Sequence, residues 1–114
     1  MGEEREQASA ALMLIPKTVR VRSRPHLARV AEHECCICGA RPVQVHHLTH
    51  TQPKARGLKA GDDQTVPLCL EHHLGGYGVH ARGDERAWWQ EQGKDGAAIA
   101  RSLWEASEAG VDLV

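Results

Sequence analysis

Phenylalanine is absent from this chain, tyrosine occurs once, and no long apolar run is present. The first two absences leave Trp88, Trp89 and Trp104 to supply most of the large aromatic packing. In a chain of 114 residues that makes a thin core, and domains of this size commonly need a staple. The third absence excludes a membrane-spanning helix. The stretch from Ala10 to Pro16 is too short even for a secretory leader, and it follows Glu3, Glu4 and Glu6. Internal repeats and long low-complexity segments are missing too. The expectation is one small domain over residues 25–107, with an N-terminal segment and basic arm at 1–24 and a tail at 108–114. Nothing points to a membrane, and the reading is of a cytoplasmic protein with reduced cysteines.

Acid is scarce between Gln7 and Gly61, where only Glu32 and Glu34 oppose Lys17, Arg20, Arg22, Arg24, Arg29, Arg41, Lys54, Arg56 and Lys59. From Asp62 onward the balance reverses, so a net charge of −1 hides a basic half. Phosphate contacts depend on local charge, and such a half can bind a polyanion. Lys17, Arg20, Arg22, Arg24, Arg56 and Lys59 are the candidates. The segment Lys17 to Arg24 alternates cation with Val or Ser, as an extended arm would, and it reads equally well as a solvated charged strand.

What the chain does have is cysteine and histidine in a meaningful order. Cys35-Cys36-Ile37-Cys38-Gly39 precedes Val45-His46-His47, and Leu68-Cys69-Leu70-Glu71-His72-His73 follows it. A Cys-x-x-Cys and a distant Cys-x-x-His offer three thiolates and one imidazole, a set suited to tetrahedral Zn²⁺ through Cys35, Cys38, Cys69 and His72. Cys36 can replace Cys35 in that clamp or simply pack, and two disulfides are the competing use of four cysteines. His46, His47 and His73 are left over, and that surplus raises the question of catalysis.

The patterning predicts a short helix over His26 to Glu34 behind Pro25, a strand over Pro42 to Val45 that delivers His46 and His47 at its end, and a second strand over Thr65 to Leu68. A helix should begin at Cys69 to His73 and be interrupted by Gly75, Gly76 and Gly78. Asp84 and Asp95 can cap helices over Glu85 to Gln92 and Ala97 to Glu108. The fold class is α+β, with strand, loop, strand and helix around metal ligands.

The ordered set Cys35-x-x-Cys38-Gly39, Val45-His46-His47-Leu48, Lys59-x-x-Asp62, Val66-Pro67-Leu68-Cys69-x-x-His72-His73 and Trp88-Trp89 resembles the HNH endonuclease superfamily. It is most similar to the zinc-containing phage and prophage branch that includes recombination-enhancement nucleases. The resemblance implies a ββα-metal (His-Me finger) domain with a structural zinc, C-terminal helices and a second divalent ion, Mg²⁺, Mn²⁺ or another transition metal. It places His46 and His73 as ligands of that ion, with His80 a further candidate seven residues on, and His47 as general base. Gln64 stands where the family has its middle Asn and would orient the base, a task that Asp62 or Asp63 can also take. The implied activity is hydrolysis of DNA phosphodiester bonds with weak sequence specificity, the helix approaching the minor groove. The alternatives are a non-catalytic zinc module that binds nucleic acid, and a protein-interaction domain docking through Ala8 to Ile15.

Overall fold

The computed structural model describes residues 20–52 and 59–110. Lys17, Arg56 and the Ala8 to Ile15 segment lie outside them. Helix α1, Arg24–Ala31, starts where the Ser23 hydroxyl accepts the His26 N–H at 3.3 Å, with Pro25 in the first turn where a missing N–H costs nothing. It buries His26 and Val30 and ends at Ala31, short of the expected Glu34, so that residues 32–34 can lead into the first cysteine pair.

Strands β1, Val43–His47, and β2, Thr65–Cys69, pair antiparallel. The register runs unbroken from Val43↔Cys69 to His47↔Thr65, so no bulge disturbs the alternation of side chains. Every residue of β2 is buried, which explains why Thr-Val-Pro-Leu-Cys shows no polar alternation. Pro67 is tolerated because each strand of a two-stranded sheet keeps one free edge, and its carbonyl accepts the Cys36 N–H at 3.0 Å.

The chain passes directly from β2 into α2, Leu70–His73, then through a glycine-rich turn to α3, Val79–Arg82. Helices α4, Glu85–Gln92, and α5, Gly96–Ala109, complete the described part. Asp84 and Asp95 cap them as the sequence predicts, each accepting an N–H three residues on at 3.1 Å. Gly93 ends α4 in the left-handed region at φ 69°.

A lone two-stranded sheet is marginal, and here helices cover it: α1 packs on both strands and α5 on β2. The core gathers Leu48, Val66, Leu68 and Val79 around Trp88 and Trp89, and it includes Cys35 and Cys69. The tryptophan rings meet edge to face, centroids 4.8 Å apart, and both are almost fully buried. They are packing residues first, as a chain without Phe requires. The architecture is therefore a small α+β domain, with a two-stranded sheet and five helices among the described residues. No helix among them is long and apolar enough to cross a membrane.

Candidate metal centres

Cys35 opens a tight knuckle. Its N–H donates to Ala40 O at 2.9 Å, its carbonyl accepts the Gly39 N–H at 2.8 Å, and Gly39 turns the chain at φ 79°. The knuckle faces the end of β2 and the start of α2, which bring Cys69 and His72. Cys38 Sγ lies 3.7 Å from Cys69 Sγ, and His72 Nδ1 lies 3.3 Å from Cys69 Sγ and 3.8 Å from Cys35 Sγ. Around Zn²⁺, with bonds of about 2.3 Å to sulfur and about 2.0 Å to nitrogen, tetrahedral edges come to about 3.8 Å and about 3.5 Å. The donor set therefore fits a metal ion such as zinc, and the sulfurs are too far apart for a disulfide, all four cysteines being free.

The ambiguity between Cys35 and Cys36 resolves in favour of Cys35. Burial opposes ionisation of Cys35, but N–H groups aimed at its sulfur, that of Ile37 at 3.4 Å among them, bring its pKa down to about 6. Burial, reinforced by the charge of Cys35, pushes Cys36 up to about 12, and Cys36 packs against the core.

A second cluster forms on the other side of α2. His46, His73 and His80 each present a ring nitrogen, all within 4.8 Å of one another. The seven-residue gap between His73 and His80 is closed without a continuous helix. Gly78 lies so close to the carbonyls of Glu71 and His73 that a Cβ would sit 2.9 Å from each, and this close approach folds α3 back beside α2. The ring centroids are 4.8 to 5.2 Å apart.

Hydrogen bonds decide which nitrogens are offered. His73 Nδ1–H donates to Gln44 Oε1 at 2.6 Å, leaving Nε2, which lies 3.2 Å from His80 Nε2. His46 Nε2 lies 2.9 Å from Glu85 Oε2, and an ionised carboxylate only accepts, so the ring donates there and offers Nδ1. Burial, with His46 and His80 adding to it, lowers the pKa of His73 to about 4. His73 is therefore neutral and ready to ligate at physiological pH. His46 is buried, His73 half-buried and His80 exposed, so the cluster opens toward solvent. Three imidazoles with an open side suit a divalent transition ion.

His47 belongs to neither cluster. Gln44 and His46 share the ligand face of β1, and His47 turns to the opposite face. There its Nε2 lies 2.8 Å from Asp62 Oδ1. Asp62 is itself locked: Oδ2 accepts the Ser23 N–H at 2.7 Å, and the Asp62 N–H donates to Val21 O at 2.8 Å. Burial raises its pKa, but the His47 and Ser23 bonds and the Arg22 charge outweigh that and hold the carboxyl below its ordinary range. The side-chain amide of Gln64 instead donates to Asp63 at 3.3 Å, and the backbone carbonyl of Gln64 accepts the Leu48 N–H. Of the candidates for orienting His47, the geometry thus selects Asp62 and leaves Gln64 a backbone role.

The basic residues divide. Arg22 is folded onto the chain, donating to Ala60 O at 3.0 Å and lying 3.6 Å from Asp62, so it fastens the 59–62 loop. The segment read as a free arm is in this part stitched to the domain. Arg24 and Lys59 are exposed, and Arg20 is half-buried.

Glu85 is the residue that sequence reasoning missed. The available signal was an acid three and four residues before Trp88 and Trp89, on the face of α4 that had to be buried. His50 has its Nδ1 at 3.8 Å from Glu85 Oε2, outside hydrogen-bond distance, and takes no place in either cluster.

A family model described as "Protein of unknown function (DUF968)" matches residues 4–110. No curated protein and no solved structure matches the chain.

Proposed function

For a chain that belongs to the DUF968 family, matched over nearly its whole length, we propose the function of a metal-dependent endonuclease that hydrolyses DNA phosphodiester bonds. The observation that carries the reading is an open three-imidazole cluster whose buried member, His46, is followed by a fourth imidazole set on a buried carboxylate. In this reading β1, β2 and α2 are an HNH-type ββα-metal unit. Cys35, Cys38, Cys69 and His72 hold a structural zinc, and His46, His73 and His80 would hold the second ion.

The second ion, when bound, supplies Lewis-acid stabilisation of charge on the phosphate oxygens, and three nitrogen donors favour a transition ion over Mg²⁺. His47, the last residue of β1, would be the general base for a phosphate lying across the strand end, where the two faces of the strand meet. With Nε2–H on Asp62, Nδ1 keeps its lone pair for the proton of the attacking water. The water oxygen forms the new bond to phosphorus, and the bond to the departing sugar oxygen breaks. That oxygen takes a proton from solvent. Asp62 steadies the imidazolium formed on His47, and its own anchorage at Ser23 keeps the ring in one orientation. Arg20, Arg24 and Lys59, with Lys17 and Arg56, supply phosphate contacts of low sequence information.

The test is nicking of supercoiled plasmid by zinc-loaded protein with Mn²⁺, Co²⁺ or Mg²⁺, beside His47→Ala. The expected result is metal-dependent relaxation that falls by about 10² to 10⁴ in the variant, with zinc content unchanged. Salt-dependent DNA binding without cleavage by either protein would replace this reading with that of a non-catalytic zinc-binding nucleic-acid module.

A further inference from the structure

Glu85 opens helix α4, and its carboxylate is buried with almost no exposure. Four donors converge on it. His46 Nε2–H and Trp89 Nε1–H each reach Oε2 at 2.9 Å, and Thr49 reaches Oε1 twice, with its N–H at 2.9 Å and its hydroxyl at 2.7 Å. A buried carboxylate costs several kcal/mol unless it is paired, which makes it an unusual way to close a thin core. Packing alone does not call for it. A neutral acceptor could satisfy Thr49, Trp89 and a His46 N–H alike, but only a charged one also raises the basicity of the ring it holds.

We propose that Glu85 is a positioning residue for the imidazole cluster, fixing His46 as the Nε2–H tautomer so that its Nδ1 lone pair faces His73 and His80. The inference rests on the reading that this cluster takes a divalent ion. Its reasoning is about the shell behind the ligand. A metal-bound histidine is commonly oriented by a carboxylate on its other nitrogen, which fixes the ring and raises its basicity, and removing that partner typically costs 10- to 100-fold in affinity.

The geometry makes Glu85 more than a local brace. Thr49 lies two residues beyond the end of β1, and Trp89 lies one turn along α4, so the carboxylate ties the strand end to the helix that closes the core. The ring of His46 lies between this tie on one side and the two other members of the cluster on the other. His73 is steered by Gln44 from the same strand face, two residues before His46. His80 has no such brace from a carboxylate among the described residues, and it is the exposed member. Pre-orientation therefore decreases from the buried ligand to the exposed one.

Glu85→Gln keeps the volume and can still accept from Thr49 or Trp89. With its oxygen toward Thr49, its NH₂ faces His46 and Trp89 together and drives the His46 proton to Nδ1, the atom the ion requires; with its oxygen toward His46, the charge that raises the basicity of the ring is still lost. Two measurements on the zinc-loaded protein decide the matter. The first is the ¹⁵N spectrum of the His46 ring in the wild-type protein with no ion added to the cluster. The Nε2–H tautomer is expected, and a predominant Nδ1–H tautomer would overturn the proposal without any variant having to fold.

The second is Co²⁺ affinity by titration calorimetry, with zinc retention checked by elemental analysis and His73→Ala as the control for the site. Glu85→Gln is expected to weaken Co²⁺ binding 10- to 100-fold at unchanged zinc content and unchanged near-ultraviolet circular dichroism. Equal Co²⁺ affinity in wild type and Glu85→Gln, both lost in His73→Ala, would overturn the role of Glu85 and leave the cluster standing as a metal site. A wild-type protein that takes no Co²⁺ beyond the thiolate site overturns both.

Discussion

On the proposed reading, removing the zinc held by Cys35, Cys38, Cys69 and His72 should unfold this protein, and the size of the effect follows from where those residues sit. Cys35 and Cys69 are members of the hydrophobic core, and the knuckle and β2 meet through them and through the Cys36 to Pro67 hydrogen bond. The sheet has two strands, and α2 is a single turn too short to be stable alone. Structural zinc contributes apparent binding free energies of about 10 to 16 kcal/mol in small modules at neutral pH. The whole stability of an ordinary domain is about 5 to 15 kcal/mol. The zinc contribution therefore exceeds what the thin core holds in reserve, and the metal-free chain is expected to be unfolded or molten at 25 °C. The measurement is near-ultraviolet circular dichroism of the perpendicular Trp88 and Trp89 pair, before and after chelation and in Cys38→Ser. Loss of the signal that returns on adding Zn²⁺ is expected. A cooperative melt at the same temperature with and without zinc would refute the argument and leave the cluster as four ordinary side chains.

Two further outcomes are expected on stability. A Cβ at position 96 would fall 2.5 Å from the Trp89 ring, so Gly96→Ala should lower unfolding free energy by about 1 to 3 kcal/mol in a denaturant titration despite the better helix propensity of Ala; a stabilised variant would show that α5 can slide. His26 is buried between α1 and α5, with Nδ1 2.6 Å from Ser107 Oγ, an edge contact to Trp104, and an Nε2 that finds no partner among the described residues. Burial lowers its pKa below 6.5, with Arg29 and His33 assisting and Asp62 and Asp63 opposing. The unfolded chain then takes up the proton first as pH falls, so stability present above pH 6.5 is lost below it, by at most about 1.4 kcal/mol per pH unit from this group. Denaturation midpoints at pH 7.5 and pH 5.5 should converge in His26→Gln relative to wild type, and an unchanged difference would assign the acid sensitivity elsewhere.

Much of the site could be read from spacing because its chemistry is local. Cys35-x-x-Cys38 and Cys69-x-x-His72 each fit within one turn of chain, and Asp84, Gly93 and Asp95 mark helix ends by hydrogen bonds that reach only three or four residues. What spacing left open depends on long-range closure. His80 joins His73 because Gly78 lets two helices fold against each other, and no periodicity encodes that approach. Asp62 replaces Gln64 beside His47 because residues 21–23 return to pin the loop, a contact between segments some forty positions apart. The same contact explains why Arg22, which reads as a free cation, is spent on holding the chain. Glu85 was hidden because an acid at the start of a helix already has an ordinary explanation in the helix dipole.

His72 and His73 are neighbours in one short turn, and they look to different clusters because successive residues on a helix point about 100° apart. On the proposed reading, a single peptide unit joins the ion that maintains the fold to the ion that acts on the phosphate. Loading then has an obligatory order, since the second site is not assembled until the first is filled. On that reading, the supply of the first ion would decide whether a site exists to receive the second.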